Sequence, residues 1–426
     1  MRSNLRRLMP LLWIVSTSLS FPLAMAQQYV YVNDNNFAAG ANTVTGYAAL
    51  PGPTLSLLSG SPFPTFGTGV AALPAPLQQV SISYNGGANC LFASDPLPSS
   101  PGPTGDVSAF TINSSTGALT YVGSYADPSN PGGFANKLIP LAIDRRLGFP
   151  YFFAAFTGES KILFYKVNTN TCQLFWASST QAAGLTGTPV VAMAVSKAGP
   201  HVLVVTYGDG SVQSFKIGGG ILTPLSISMT TGFTNQGGRP MGVDITKNGK
   251  YAVFGDNQPG LAEVEVARIL PSGNLSPTAD YGGPAVASGV NLGPGLNSQN
   301  VWLSPGASAG KFSLYITNNN SNQVTSAKVA TATGIVSPAP ACSGIYTNPT
   351  TLIPGTWTVA AGLHSVKATG TGTGLVVAEY GSPSSVALLK IQNVTGCTTE
   401  ITTSPYTDPN SSNGLMSIDV FPPRPY

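Results

Sequence analysis

Charge is what this sequence has least of. Asp, Glu, Lys and Arg make up 8% of its 426 residues, and there are 2 histidines. The formal charge of +3 includes Arg2, Arg6 and Arg7 near the N-terminus, so the rest of the chain is close to neutral. No basic run points to nucleic acid, and no basic amphipathic helix points to a membrane surface. Beyond residue 26 no apolar stretch is long enough to span a bilayer as a helix. The cysteines, Cys90, Cys172, Cys342 and Cys397, form no C-x-x-C pair, which argues against a zinc site or thioredoxin-like chemistry. A G-x-S-x-G elbow, a P-loop and a dinucleotide fingerprint are all missing. No segment sustains a helical period.

Glycine (49), proline (36) and hydrophobic residues (42%) are plentiful instead. Disorder goes with low hydrophobicity and high charge, the opposite balance. Many short strands joined by Gly/Pro turns fit this composition. Residues 1–26 read as a secretory signal peptide: three arginines, an apolar run from Leu8 to Ala24, then the small-x-small site Ala24-Met25-Ala26. The chain from 27 to 426 is then a secreted or periplasmic protein in which disulfides can form. Cys172 and Cys397 occupy similar outer-hairpin positions, and Cys342 lies in the repeat before Cys397. A Cys342–Cys397 bridge fits this spacing, although four cysteines allow three pairings and buried free thiols fit as well.

Internal repetition is the strongest signal. The last stretch, Met416-Ser-Ile-Asp-Val-Phe-Pro-Pro-Arg-Pro-Tyr426, copies a middle one, Met241-Gly-Val-Asp-Ile-Thr-Lys-Asn-Gly-Lys-Tyr251. In the middle copy a second strand follows, Tyr251–Asp256; in the last copy the chain ends, and the matching strand is Tyr29–Asp34 at the other terminus. A C-terminal half-repeat that completes an N-terminal half-repeat closes a ring. Innermost strands begin near Val80, Leu141, Val191, Met241, Gln299, His364 and Met416. Their spacing of roughly 50 to 65 residues suits one four-stranded propeller blade each. Third strands such as Ser211-Val-Gln-Ser-Phe-Lys-Ile217 alternate in character, and Gly-x-Leu-Thr-like marks such as Gly117-Ala-Leu-Thr120 open the fourth. Asn248-Gly249 reads as a two-residue hairpin turn with positive φ at both positions. The chain is therefore expected to be an all-β, seven-bladed propeller of four-stranded blades, one domain over 27–426.

These repeats resemble a known family. Tyr29-Val-Tyr-Val-Asn-Asp-Asn35, Asn42-Thr-Val-Thr-Gly-Tyr47, Thr116-Gly-Ala-Leu-Thr120 and Gly60-Ser-Pro-Phe63 look like the YVTN-repeat, lactonase-like (6-phosphogluconolactonase-like) seven-bladed β-propellers of secreted bacterial proteins. The resemblance covers the chain after residue 26 and implies the fold. For activity it implies a sugar-lactone hydrolase as one option among exported propellers without a known reaction. No catalytic residue of the family carries over.

Propellers bind ligands at the mouth of the central channel. Counting outward from the turns places His364 opposite Glu379 there, a pair suited to proton transfer; a structural hydrogen bond or ion pair is the blander reading. Second strands end in Asp34, Asp95, Phe156, Thr206, Asp256, Thr317 and Glu379, and one innermost-strand position carries Asp419, Asp144 and Asp244 among others. Converging carboxylates suit a cation such as calcium, or a ligand rich in hydroxyls; Asp that caps turns is the plainer alternative. Arg239, beside the mouth, suits an anionic group or a salt bridge to Asp256. The main expectation is a monomeric binding module for a small molecule, glycan or protein at the channel mouth. The rivals are a lactone hydrolase using His364 and Glu379, and a structural envelope or surface protein. The dyad favours the hydrolase; the scarcity of charge and of histidine favours binding.

Overall fold

The computed structural model describes residues 27–50, 54–69, 80–84, 89–96, 105–128, 140–146, 148–156, 161–181, 188–225, 240–256, 263–282, 298–318, 323–339, 346–347, 362–368, 374–380, 384–392, 397–401, 404, 406–407 and 417–422. The leader read at 1–26 and Arg239 lie outside them, as does Cys342. Among the described residues the secondary structure is strand, with no helix.

The strands form seven antiparallel sheets, each a four-stranded meander. From axis to rim, blade 1 holds Ser417–Phe421, Gln28–Asn33, Thr43–Leu50 and Thr54–Leu57. Blade 2 holds Val80–Tyr84, Asn89–Asp95, Asp106–Ile112 and Leu119–Ala126; blade 3 holds Leu141–Ile143, Tyr151–Phe156, Lys161–Val167 and Leu174–Gln181. Blade 4 is Val190–Val195, Val202–Tyr207, Val212–Gly218 and Ile221–Pro224; blade 5 is Pro240–Ile245, Tyr251–Asp256, Glu263–Ile269 and Leu275–Gly282. Blade 6 is Ser298–Ser308, Lys311–Asn318, Gln323–Ala330 and Val336–Pro338; blade 7 is Gly362–Ala368, Gly374–Tyr380, Ser385–Ile391 and Thr398–Glu400. In blades 1, 6 and 7 a short fifth segment (Phe63–Pro64, Tyr346–Thr347, Tyr406–Thr407) adds to the third strand.

The termini meet as the repeat predicts. Tyr29 pairs with Phe421, Tyr31 with Asp419 and Asn33 with Ser417. Each innermost strand touches the next around the ring, and blade 7 touches blade 1. Alternate residues of a blade face opposite neighbours. Val30 and Val32 pack with Val376 and Val386 of blade 7, whereas Tyr29 and Tyr31 pack with Leu91 and Phe110 of blade 2. Each interface between blades is thus a separate apolar core. Closing the ring buries Ile418, Val420 and Phe421 as well, and each such side chain contributes very roughly 1.5–3 kcal/mol.

Tyrosine at the start of a second strand has an inter-blade task. Tyr251 lies against Gly334 of blade 6, whose φ is 74° and where a Cβ would come within 2.6 Å of the ring. Its hydroxyl donates to the Ala332 carbonyl at 2.6 Å. Glycine is required there by both the backbone and the tyrosine.

One local expectation is corrected. The turn at Asn248-Gly249 is not a two-residue loop: Ile245 and Tyr251 end the flanking strands, and Asn248 has no positive φ. The Gly249 N–H donates to the Thr246 carbonyl, and the Asn248 side chain accepts from Thr246 Oγ1 and the Lys250 N–H. That side-chain turn replaces the left-handed asparagine. Among the described residues no cysteine is a free thiol, and Cys90 of blade 2 is bonded to Cys172 in a turn of blade 3, with Cα atoms 5.4 Å apart, a pairing compatible with the expected Cys342–Cys397 bridge. Cys397 is disulfide-bonded too; the Cys342 of its expected bridge lies outside the described residues.

Candidate functional site

First and third strands run away from the loop face of the ring, and second and fourth strands run towards it. The acidic ends of the second strands therefore reach the loop face, where the channel mouth was expected. Strand alternation then fixes their direction. Asp95, in step with Leu91 and Ala93, faces blade 1; Asp256, in step with Phe254, faces blade 4; Glu379, in step with Leu375 and Val377, faces blade 6. Asp34 bonds Thr43 and Thr45 on the side turned to blade 7. All four carboxylates are buried in interfaces between blades.

Asp95 is the most completely held. It accepts from Asn42 Nδ2 at 2.8 Å and Thr65 Oγ1 at 2.6 Å of blade 1, and from Ser108 Oγ at 2.8 Å of its own blade. A Cβ on Gly67 would lie 2.2 Å from its carboxyl carbon, so the segment after Thr65 packs flat on the acid. Asp106 stands directly opposite Asp95 in the strand pairing. Burial, then the Asp106 charge, pushes the Asp95 carboxyl up to about 7, against its three hydrogen bonds. Burial lifts Asp106 to about 6, against hydrogen bonds with Ser124 and Asp95. Asp106 Oδ1 has no hydrogen-bond partner among the described residues. The pair sits where one proton shared between two carboxyls is favoured. Elsewhere in the ring, Asp34 Oδ2 accepts from Thr43 at 2.5 Å and Thr45 at 2.8 Å. Glu379 accepts from Ser385 Oγ, and Asp256 stands opposite Glu263, which is also buried.

The His364–Glu379 pair needs a correction. Glu379 is opposite Leu363, and the register shifts between Leu363 and Ser365, so His364 occupies the bulge. Asp256 is likewise opposite Pro240 and not Met241, with a shift before Val243. Blades 4 and 6 carry the same irregularity between Val190 and Ala192 and between Ser298 and Asn300. Counting outward from the turn assumed an unbroken ladder; one inserted residue re-aims whatever follows it.

The innermost-strand acids face the following blade and lie towards the opposite end of the channel. Asp419 Oδ2 accepts from the Ile82 N–H at 2.8 Å and from Arg145 Nη2 at 2.7 Å, which ties blades 1, 2 and 3 together. Asp244 accepts from the Leu303 N–H of blade 6 and pairs with Lys197 Nζ of blade 4, both at 2.8 Å. Asp144 is fully buried and holds His201 Nε2 at 2.5 Å. That ring lies between Phe149, at 4.7 Å edge-on, and Tyr151, at 6.4 Å. The sequence clue to this His–carboxylate pair is a histidine where sister strands open with tyrosine, as at Tyr29, Tyr151 and Tyr251.

No family model matches the chain, and no curated protein matches it in sequence. Solved structures do match in shape. A protein from Lactobacillus plantarum superposes with TM-score 0.64 at 13% identity, covering 93% of this chain and 99% of its own. A candidate 6-phosphogluconolactonase from Bacteroides fragilis gives 0.60 at 14% identity, covering 93% and 99%. The periplasmic gluconolactonase of Pseudomonas aeruginosa gives 0.57 at 14%, covering 92% and 99%. This chain has the lactonase-like seven-bladed β-propeller fold.

In this lactonase-like propeller, identities that low speak for the fold alone. Asp95, Asp144, Asp244 and Asp419 are engaged by groups of neighbouring blades, whereas Asp34 and Glu379 are held by hydroxyls of their own blades. Among the described residues no group of three His, Cys, Asp or Glu could hold a metal ion. Calcium thus finds no such cluster in the lactonase-like ring as described; Asp95, Asp144, Asp244 and Asp419 tie neighbouring blades, while Asp34 and Asp256 are buried at blade interfaces.

Proposed function

We propose that the protein is an exported, monomeric β-propeller binding module whose ligand sits at the channel mouth on the loop face. What carries this reading is the asymmetry of the connections. On the loop face the chain travels from Gly282 to Ser298 between blades 5 and 6; on the other face Ala309 and Gly310 suffice between two strands of blade 6. Long connections over a rigid scaffold are where binding residues gather. The ligand is a small molecule rich in hydroxyls, a glycan or a protein segment, met by Arg239 and neighbouring loop residues. The signal-peptide reading of residues 1–26 supports a secreted or periplasmic location.

A second reading is favoured by one observation: two of the similar structures bear gluconolactonase names. In it the chain hydrolyses a sugar lactone, with His364 and Glu379 in proton transfer at neighbouring register positions and Arg239 on the charged group. A sugar-lactone panel followed by proton release, run beside melting curves with sugars and glycans, separates the two. Binding alone predicts ligand-raised melting temperatures without turnover. Turnover that falls about 10²–10⁴-fold in His364→Ala would replace the binding reading with the hydrolase.

A further inference from the structure

The few charges of this chain are sorted between the two faces of the ring. Turns joining first to second and third to fourth strands share the face opposite the loops, here the turn face. Of the 13 Lys and Arg among the described residues, 12 lie in those turns or within three residues of one. The exception, Lys161, is at the loop face and pairs with Asp127 at 2.9 Å. Five cations share one repeat position: Lys166, Lys216, Arg268, Lys328 and Lys390, each just before the Val or Ile near the end of a third strand, in blades 3 to 7. A second set, including Lys247, Lys250 and Lys311, occupies turns nearer the axis.

The acids on this face do not balance them. Asp144, Asp244 and Asp419 are tied to His201, Lys197 and Arg145 close to the channel, and Glu400 belongs to an outer strand. Lys166, Lys216, Arg268 and Lys390 are exposed and enter no ion pair among the described residues, and the half-buried Lys328 donates to Ser313 Oγ at 2.8 Å. Like charges crowd one another: burial and the neighbouring Lys311 hold the Lys328 ammonium below its ordinary pKa.

Apolar side chains are exposed on the same side. Phe149 (39%) is in a turn, and Phe175 (54%), Trp176 (50%), Ile221 (57%) and Ile335 (52%) stand at or beside the start of outer strands. The outer strands of blades 3 and 4 that carry Trp176 and Ile221 abut one another, with Ser178 Oγ donating to the Gly220 carbonyl at 2.8 Å.

Cations alone would suit any polyanion. A disc with a cation at the same position of blades 3 to 7, and Trp, Phe and Ile standing among them, suits a flat anionic surface with an apolar layer beneath. At a bilayer interface aromatic and aliphatic side chains settle at headgroup depth while Lys and Arg meet anionic headgroups. A soluble acidic polysaccharide or a nucleic acid would give Ile221 and Ile335 no apolar partner. We propose that the turn face of this propeller docks on an anionic lipid bilayer surface, through the third-strand cations and the Trp176–Ile221 edge. The loop face then points away from the lipid.

The test is co-sedimentation of the exported protein with phosphatidylcholine vesicles, with and without phosphatidylglycerol, at low and high salt. Binding is expected only with phosphatidylglycerol, to weaken in high salt, and to shift tryptophan emission to the blue. Replacing Lys166, Lys216, Arg268 and Lys390 together by Glu should weaken binding by more than tenfold, since one surface cation counts for roughly fivefold. Melting temperature should hold, because the side chains are exposed. Should that variant fold poorly, Lys216→Gln and Arg268→Gln singly should each cost a few-fold. Trp176→Ser should remove most of the emission shift. No binding to anionic vesicles, equal binding by the charge variants, or binding to soluble polygalacturonate that vesicles cannot displace would overturn the proposal.

Discussion

The Asp95–Asp106 pair makes the stability of this propeller depend on pH in a stated direction. Both carboxyls are raised by burial at the junction of blades 1 and 2, to about 7 and about 6. In the unfolded chain they return to the ordinary range near 3.9. Between those values the folded protein holds protons that the unfolded chain has released, so stability falls as pH rises. The loss begins above about pH 4 and is complete once pH exceeds the folded values. The rise for Asp95 alone corresponds to about 4 kcal/mol. The pair is worth less than two independent shifts, because the two groups share a hydrogen bond and part of the Asp95 shift is the Asp106 charge.

Asp95→Asn removes one charge and keeps the shape. The amide oxygen can still accept from Asn42 and Thr65, while the NH₂ meets Ser108 and Asp106. The variant should lose about 1 kcal/mol at pH 4 through an imperfect hydrogen bond. It should then overtake wild type by pH 8, where wild type carries two buried charges. Urea unfolding followed by tryptophan fluorescence at steps from pH 4 to 8 measures both slopes. Parallel curves for wild type and variant would refute the reasoning, since the remaining carboxylates are common to both.

The closure of the ring predicts that deleting 415–426 strips the innermost strand from blade 1. The lost burial of Ile418, Val420 and Phe421 alone should cost on the order of 5–8 kcal/mol, seen as a sharply lower urea midpoint. An unchanged midpoint would mean that Tyr29–Asn33 does not depend on Ser417–Phe421. Reduction of Cys90–Cys172 releases a crosslink over 82 residues; chain entropy gives about 4 kcal/mol as its upper contribution. Cys90→Ala with Cys172→Ala should lower the melting temperature in oxidising buffer and leave it unchanged under reductant, relative to reduced wild type.

Legibility in the sequence followed the physics of each feature. Ring closure could be read because Met416–Val420 and Met241–Ile245 share both side-chain pattern and distance to the next tyrosine. Strands were legible because period-two alternation persists wherever both faces of a blade pack on neighbours. The bulges were not, since one extra residue at Val191, Gln299 or His364 leaves no compositional trace, and with them went the opposition of His364 and Glu379. The Cys90–Cys172 bond joins a second strand to the outer turn of the next blade, and equivalence between repeats cannot suggest a bond between inequivalent positions. The recurring acids were found, but their direction was not. Whether Asp95 looks into the channel or into blade 1 depends on strand parity relative to Leu91 and Ala93, a property of the register.

The same parity explains why so few charges recur at fixed positions. In a propeller each blade offers two kinds of inward surface, one to the blade before and one to the blade after. Acids at second-strand ends face the blade before, and Asp419 and Asp244 face the blade after. Buried carboxylates persist where donors are in register, from the neighbouring blade for Asp95 (Asn42 and Thr65) and for Asp419 and Asp244 (a backbone N–H), and from its own blade for Asp34 (Thr43 and Thr45). Lys197 takes such a place on Asp244, and the other described lysines sit in turns or near the ends of the strands. There the repeat multiplies them into a ring that no linear window of the sequence displays. Asp95, Asp244 and Asp419 thus bind blade to blade, while the exposed third-strand bases Lys166, Lys216, Arg268 and Lys390 are left facing outward on one side.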